Sequence, residues 1–472
     1  MNPAKDMTMK PRNGLVQALA DGILDAGVRH FANYPGFHSN ELHAALGAGV
    51  TSTDEKNAFA FGWGCSMAGE RAAVSFKNVG LNDAADAYLG AHFVGCRAGL
   101  VLFLFDDCDI QHSQNRIDVR PYFLVYGGLW LEPRSVPEAY RFARDAFRYS
   151  ERFGLPVTVR LTNALWDQGL LPATWERARD EPPAFAPVQR LPDASPWVVH
   201  PSEAHRMERD LARKNREVAA FVESLYEGEA AETPASPQAV VMGAKRGVRE
   251  RDLFRLFTLP VPSAAIRSRF AGRPRPVVYE HGPVPVAAGL VDAALAAGDG
   301  CPRRGMPPPP GLRPKYHNRD YMEKLFSTLR AVPGSLVAGD LGGYTMDPGR
   351  TLHFCLCYGV APAVAMGLAE TDPDRRVFCV AGDAAYLHSG QACLHEMAAR
   401  GVDATVFVLE NGGALGTGGQ PIPGDLALRP DVCSFHEIDY AEASVAELRS
   451  FVESLPVRGL HLVVVHTHEH EA

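Results

Sequence analysis

A chain of 472 residues is too long for a single hydrophobic core and implies two or three domains. Its 46% hydrophobic and 22% charged residues are ordinary for a water-soluble globular protein, and a formal net charge of −8 gives no reason to expect a nucleic-acid partner. The opening MNPAKDMTMKPRNG lacks an apolar signal core, and no stretch approaches the roughly 18 uninterrupted apolar residues of a membrane span, so a cytoplasmic protein without membrane contact is expected.

In chain order, residues 14–26 have the pattern of an amphipathic helix ended by Gly27, and residues 28–33 that of a strand running into the turn Tyr34-Pro35-Gly36. Residues 58–69 are rich in small side chains and predict a closely packed helix. Residues 74–77, 99–105 and 155–161 predict further strands, a rhythm that argues for a doubly wound parallel sheet. From about 166 to 315 the pattern weakens. Residues 203–225 form a charged helical stretch, residues 227–237 a loop, and residues 239–242 and 276–279 strands of a smaller α/β unit. The run CPRRGMPPPPGLRP at residues 301–314 reads as an extended linker. The βα rhythm resumes at residue 321, so the plan is two similar α/β halves with a smaller region between them. The nine cysteines are scattered, without a Cys-x-x-Cys pair, and read as reduced, mostly buried thiols. The final His466-Thr467-His468-Glu469-His470 reads as a frayed tail rather than a metal tract.

The most informative stretch lies in the second half. One apolar run ends in Gly382-Asp383-Ala384, and another, residues 405–409, ends in Asn411-Gly412-Gly413; between them residues 395–400 finish a helix with Gly401 as its cap. Two strands joined by a helix form a βαβ unit whose parallel strands end on one side of the sheet. Asp383 and Asn411, 28 positions apart, are therefore predicted to face one small volume at the carboxyl edge. A carboxylate, a side-chain amide and the Gly413 carbonyl are hard oxygen donors suited to Mg²⁺ holding a diphosphate. The small residues Gly382 and Ala384 would let backbone N–H groups approach that diphosphate. Taken alone, the same segments also read as a tight turn and a loop.

The spacing of Gly382-Asp383-Ala384 to Asn411-Gly412-Gly413 resembles the diphosphate-binding motif of thiamine diphosphate enzymes. Further segments resemble the α subunit of indolepyruvate:ferredoxin oxidoreductase. They are Tyr34-Pro35-Gly36, Asp54-Glu55-Lys56, Lys77-Asn78-Val79-Gly80-Leu81-Asn82, Asp106-Asp107 and Ser113-Gln114-Asn115 with Asp118 and Arg120. In the second half they are Gly300-Cys301-Pro302-Arg303-Arg304-Gly305, Asp340 to Thr345, Cys355 to Gly359 and His388-Ser389-Gly390. The matches run in order from about residue 13 to residue 424.

The resemblance implies an α/β thiamine diphosphate-binding fold with two doubly wound parallel-sheet domains and a smaller α/β middle domain. Residues 1–165 would be the pyrimidine-binding domain, 166–315 the middle domain and Pro-rich linker, and 316–472 the diphosphate-binding domain. It implies thiamine diphosphate and Mg²⁺ as cofactors, with Gly382, Asp383, Ala384, Asn411 and Gly413 at the diphosphate and Asp383, Asn411 and Gly413 as metal ligands. Glu55 matches the carboxylate that hydrogen-bonds N1′ of the aminopyrimidine and so helps N4′ act as a general base; on its own it reads as a solvated helix-start glutamate. Lys77, His112, Gln114 and Arg120 are polar candidates for the substrate pocket, each equally readable as a structural or surface group.

The chain departs from the family pattern in three places. The sequence supplies no grouped cysteines for the iron–sulfur clusters that the family's C-terminal ferredoxin-like domain carries. Tyr-Pro-Gly-Thr-Pro becomes Tyr34-Pro35-Gly36-Phe37-His38, which makes His38 the replacement polar group. Lys-His-Val-Gly-Leu-Asn becomes Lys77-Asn78-Val79-Gly80-Leu81-Asn82, so Asn78, an amide, stands where an imidazole would shuttle protons. With Glu55, these two complete the catalytic candidates. The expected reaction is decarboxylation of a 2-oxo acid, an arylpyruvate among the candidates, through an enamine that is then protonated or ligated to a second carbonyl. The alternatives are an oxidoreductase subunit passing electrons to a separate electron-transfer or gamma-type partner, and a non-catalytic cofactor-binding scaffold, which the presence of Glu55 disfavours. A homodimer is the expected assembly.

Overall fold

The computed structural model describes residues 13–111, 113, 117–170, 175, 197–200, 203–227, 237–244, 252–270, 272–296, 322–414 and 420–467. Its first five strands are β1 (His30–Asn33), β2 (Ala72–Lys77), β3 (Leu100–Asp106), β4 (Leu129–Leu131) and β5 (Val157–Thr162). Then come β6 (Trp197–Val198), β7 (Ala239–Met242), β8 (Leu253–Leu256), β9 (Thr258–Leu259) and β10 (Val277–Tyr279). The last six are β11 (Leu336–Gly339), β12 (Phe354–Cys355), β13 (Val377–Gly382), β14 (Ala404–Glu410), β15 (Ser434–Asp439) and β16 (Leu460–His466).

The first sheet has the order β1-β2-β3-β5-β4-β9, parallel except for β9. Its central strand β3, LVLFLFD, is buried along its whole length, as a parallel strand covered by helices on both faces must be. Asn13 caps the Gly14–Asp25 helix by accepting the Leu15 N–H at 2.8 Å, and that helix packs on the Val136–Phe153 helix. The predicted strands fall where the apolar runs lie, with ends within two residues of those expected.

A three-stranded parallel sheet, β10-β7-β8, forms the centre of the middle region. Two other strands of that region serve the outer sheets. β9 pairs with β4 of the first sheet, and β6 pairs with β12 of the third. Runs of only two residues have no periodicity to betray them, so these edge strands were not foreseen. The proline-rich segment 301–314 lies outside the described residues.

The third sheet has the order β15-β16-β14-β13-β11-β12-β6, all parallel. From β11 the chain goes outward to β12 and then returns past β11 to β13. The crevice between the ends of β11 and β13 is therefore a topological switch point, where open α/β sheets bind ligands. Gly401 ends the Gln391–Arg400 helix in the left-handed conformation, as its position predicted. His466 belongs to β16 and pairs with Glu410 at 3.1 Å and Glu437 at 3.4 Å, which corrects its reading as part of a frayed tail; His468 and His470 lie outside the described residues.

The first and third domains meet helix to helix. The Glu55–Ala68 helix crosses the Ala361–Thr371 helix so closely that a Cβ on Gly64 would overlap the Val364 carbonyl, and one on Gly367 would overlap the Phe61 carbonyl. Phe59, Phe61 and Trp63 of that first helix are fully buried, each such side chain contributing about 1.5–3 kcal/mol. A polar clamp lies beside the crossing. Glu396 accepts hydrogen bonds from Ser52 Oγ at 2.9 Å and Thr53 N at 3.0 Å, and pairs with Arg400 at 2.9 Å. Arg400 also donates to the Val50 carbonyl at 2.9 Å and covers the Phe61 ring. The loop that leads into Glu55 is thus held by the third domain.

Candidate active site

The register of β13 on β14 pairs Gly382 with Leu409, so the residues just beyond both strands meet at the carboxyl edge. Asp383 Oδ2 accepts the Asn411 N–H at 3.2 Å, and Oδ1 accepts the Ala384 N–H at 2.6 Å. With its amide nitrogen turned inward, Asn411 donates to Asp383 Oδ2 at 3.3 Å and to the Gly413 carbonyl at 2.6 Å. With its oxygen inward, Asn411 Oδ1 accepts the Gly413 N–H at 3.3 Å and lies beside Asp383 Oδ2 and the Gly413 carbonyl, a grouping of oxygens whose repulsion a bound cation would relieve. A half-turn of one amide therefore converts a self-satisfied cluster into an oxygen-lined cation site. This donor set fits Mg²⁺. Burial raises the Asp383 carboxyl above its ordinary pKa, against the backbone N–H groups of Asn411 and Ala384. A bound cation opposes that shift.

Two of the expected N–H donors have protein partners. Gly382 N–H donates to Tyr344 Oη at 3.2 Å, which itself donates to the Leu341 carbonyl at 3.2 Å, while Ala384 N–H is taken by Asp383. The expectation that both face a diphosphate is corrected to this extent. The buried Tyr344 ring lies over Gly382.

Asp340, just beyond β11, is fully buried and accepts three backbone N–H groups, from Leu341 and Gly359 at 2.8 Å and from Ala361 at 3.2 Å. Burial lifts its carboxyl to about 6 despite those donors. The effect is to pin the Tyr358-Gly359 turn at the start of the Ala361–Thr371 helix. Gly359 sits there at φ +81°, and a Cβ would fall 2.7 Å from Ser389 Oγ and 2.9 Å from His388 Nδ1. His388 and Ser389 lie in a π-helical turn, residues Tyr386–Gly390, that continues from Asp383.

Glu55 begins its helix, with Asp54 as N-cap accepting the Asn57 N–H at 2.6 Å. Its half-buried carboxyl lies against Gly80, where a Cβ would overlap Glu55 Oε1. Burial, chiefly, with the Asp83 and Asp54 charges, raises it to about 7 despite its own backbone N–H. The next residue reaches the third domain, because Lys56 Nζ donates to the Tyr358 carbonyl at 2.7 Å and pairs with Asp86 at 3.5 Å. Tyr358 in turn lies in the field of Asp383 and Asp340, whose charges, after burial, raise its hydroxyl pKa. Lys56, next to Glu55, and the segment that continues from Asp383 thus meet at one turn, Tyr358-Gly359, within a single chain.

The remaining candidates are placed as follows. Asn78 is buried, and its amide donates to Asp106 Oδ1 at 2.9 Å and to the Ile117 carbonyl at 2.8 Å, which ties β2 to the loop after β3. His38 stacks flat on Trp166 and bonds Glu41 through Nδ1 at 3.2 Å, beside Phe37 at φ +44°. Lys77 packs along Gly36. Arg120 is buried in ion pairs with Asp118 at 2.6 Å and with Glu280, and donates to the Val284 carbonyl, so it joins the first domain to the middle region rather than lining a pocket. His112 and Gln114 lie outside the described residues. Sequence reasoning missed Glu396 and Arg400, and it placed Lys56, Asp340 and Tyr358 in motifs without giving them a role. An acid at a strand end before a glycine-containing turn was the available signal for Asp340; the others acquire meaning only from the domain contact.

Residues 339–447 match the family described as thiamine pyrophosphate enzyme, C-terminal TPP binding domain. The indolepyruvate oxidoreductase subunit IorA of Archaeoglobus fulgidus is 25% identical over 86% of this chain and 76% of its own. That of Thermococcus kodakarensis is 26% identical over 86% of this chain and 75% of its own. Among solved structures, the thiamine diphosphate-dependent 4-hydroxybenzoylformate decarboxylase of Rhodococcus jostii superposes with a TM-score of 0.52 at 14% identity, covering 96% of this chain and 99% of that one. The fold is that of thiamine diphosphate-dependent enzymes, and the sequence resembles the IorA subunits over most of its length.

Proposed function

We propose that this chain, with the fold of the thiamine diphosphate-dependent enzymes and a sequence resembling IorA, uses thiamine diphosphate and Mg²⁺ to decarboxylate a 2-oxo acid, with arylpyruvates the first substrates to test. The observation that carries the reading is Glu55, a half-buried carboxyl raised to about 7, whose neighbour Lys56 donates to the carbonyl of Tyr358, a residue that lies in the field of Asp383. Asp383, Asn411 and the Gly413 carbonyl would hold Mg²⁺ and through it the diphosphate. When bound, the cofactor supplies the electron sink that lets carbon dioxide leave. Glu55 would hold a proton at the pyrimidine N1′. A group poised near neutrality shares a proton with a ring nitrogen better than an ordinary glutamate does. Gly80 keeps the space its carboxyl occupies, and Lys56 with Asp340 fixes the turn opposite. His38 and Asn78 are proposed at the substrate end, Asn78 through its hold on Asp106 and the loop after β3.

The test is anaerobic incubation of the purified protein with both cofactors and a panel of aliphatic and aromatic 2-oxo acids. Carbon dioxide with an aldehyde or acyloin is expected; no carbon dioxide from any substrate, with or without an electron acceptor, overturns the reading. A second reading is favoured by the relatives being named oxidoreductase subunits. In it the same decarboxylation feeds electrons to a separate electron-transfer or gamma-type partner. Dye reduction that appears only with such a partner and coenzyme A selects it.

A further inference from the structure

Away from the oxygen cluster, the loop after β3 meets the middle region at a second group of donors. Cys108, Asp109 and His281 each bring a ligand atom within 4.8 Å of the other two. We propose that these three side chains form a binding site for a zinc-class divalent cation that joins the first domain to the middle region.

The donor chemistry selects the ion. A thiolate, an imidazole and a carboxylate suit Zn²⁺, with a solvent position as fourth ligand, whereas Mg²⁺ asks for oxygen alone. Asp109 is exposed and gives the solvent side, while Cys108 is buried and gives the protein side. The imidazole carries an independent sign. His281 Nε2 donates to the Ala244 carbonyl at 3.1 Å, so a metal would be taken by Nδ1, with the ring oriented by the outer partner as in metal-ligating histidines.

The surroundings tolerate added positive charge. Arg160, whose charge acts on Cys108, is saturated by Asp106 at 2.6 Å and Glu132 at 2.5 Å, and donates to the His281 carbonyl at 2.8 Å. That last bond also fixes the His281 backbone relative to β5. On the other side, Asp107 accepts the Gln111 N–H at 2.8 Å and the Ser113 hydroxyl at 2.6 Å, which holds the loop carrying Cys108 and Asp109. Ile110 in that loop adopts φ +56°, a conformation a β-branched residue keeps only when its neighbours enforce it. Binding would displace the Cys108 thiol proton to solvent and form a metal–sulfur bond. The site is separate from the Asp383 cluster, which offers no sulfur.

The experiment uses the full chain, stripped with a chelator and titrated with Co²⁺. A cobalt–thiolate charge-transfer band saturating at one equivalent and displaced by Zn²⁺ is expected. Cys108→Ser should abolish the band. Asp109→Ala, a change at an exposed turn checked for an intact fold by circular dichroism, should weaken binding beyond the roughly 100-fold that loss of an outer partner costs at most. Absence of the band in the native protein overturns the proposal. So does a band that persists in Cys108→Ser, or native-like affinity in Asp109→Ala.

Discussion

Glu55 carries the sharpest residue-scale consequences. Its carboxyl ionises near 4.5 when the chain is unfolded and near 7 in the folded protein. Between those values the folded state holds a proton that the unfolded state has lost, so stability falls as pH rises through this window and the deficit is complete above about 7. The shift corresponds to about 3 kcal/mol at most, and about 1–2 kcal/mol once the solvent reaching this half-buried group is allowed for. Glu55→Gln removes the ionisation. The apoprotein should gain about 1–2 kcal/mol at pH 8 in urea titrations and nothing near pH 4, while carbon dioxide release drops by about 100-fold or more. A glutamine variant with full activity would sink the assigned role. Gly80→Ala tests the same group indirectly. It should displace the carboxyl and lower activity without changing the far-ultraviolet spectrum. At the opposite edge, Asp383→Ala should remove Mg²⁺-dependent binding of thiamine diphosphate, measured by calorimetry, with little change in unfolding temperature.

At the scale of elements, the crossing of the Glu55–Ala68 and Ala361–Thr371 helices sets how near the two half-sites come. Gly64 and Gly367 each face main chain of the other helix, so added methyl groups meet carbonyls that cannot rotate away. Gly64→Ala and Gly367→Ala should each cost about 1–3 kcal/mol by urea unfolding. The double variant should cost less than the sum, because one separation of the helices relieves both clashes. Strict additivity would mean that the two contacts yield independently. The small-residue content of residues 58–69 made close packing legible in the sequence. Its partner was not legible, since Gly367 sits about 300 residues away and only folding brings it there. That β13 and β14 end on one side of the sheet was legible from two apolar runs joined by one helix with a glycine cap; their register was not.

At the scale of the whole molecule, Glu396 and Arg400 clamp the loop before Glu55 onto the third domain. Glu396→Ala leaves Arg400 partly buried without its nearest carboxylate, a change expected to cost about 3–5 kcal/mol. It should also weaken cofactor binding, with the secondary structure of both outer domains retained. Calorimetry with thiamine diphosphate and Mg²⁺ measures the first effect, and circular dichroism the second. Unaltered affinity would show that the clamp stabilises the molecule without positioning the site.

The sequence by itself determined the α/β class, the sheet edge shared by Asp383 and Asn411, and the candidacy of Glu55. The first two follow from local patterns, apolar runs, glycine caps and motif spacing within one βαβ unit, whereas Glu55 is singled out only by the family resemblance of its motif. Only the tertiary structure decided that the Asn78 amide donates to Asp106 and the Ile117 carbonyl, that Arg120 belongs to a buried ion-pair network, and that Tyr344 occupies the Gly382 N–H. It alone brought Lys56 to the Tyr358 carbonyl and Cys108 to His281. Each of these is a meeting of groups far apart in the chain, and which polar atoms satisfy one another across such distances depends on how whole sheets and helices pack, which no local pattern records.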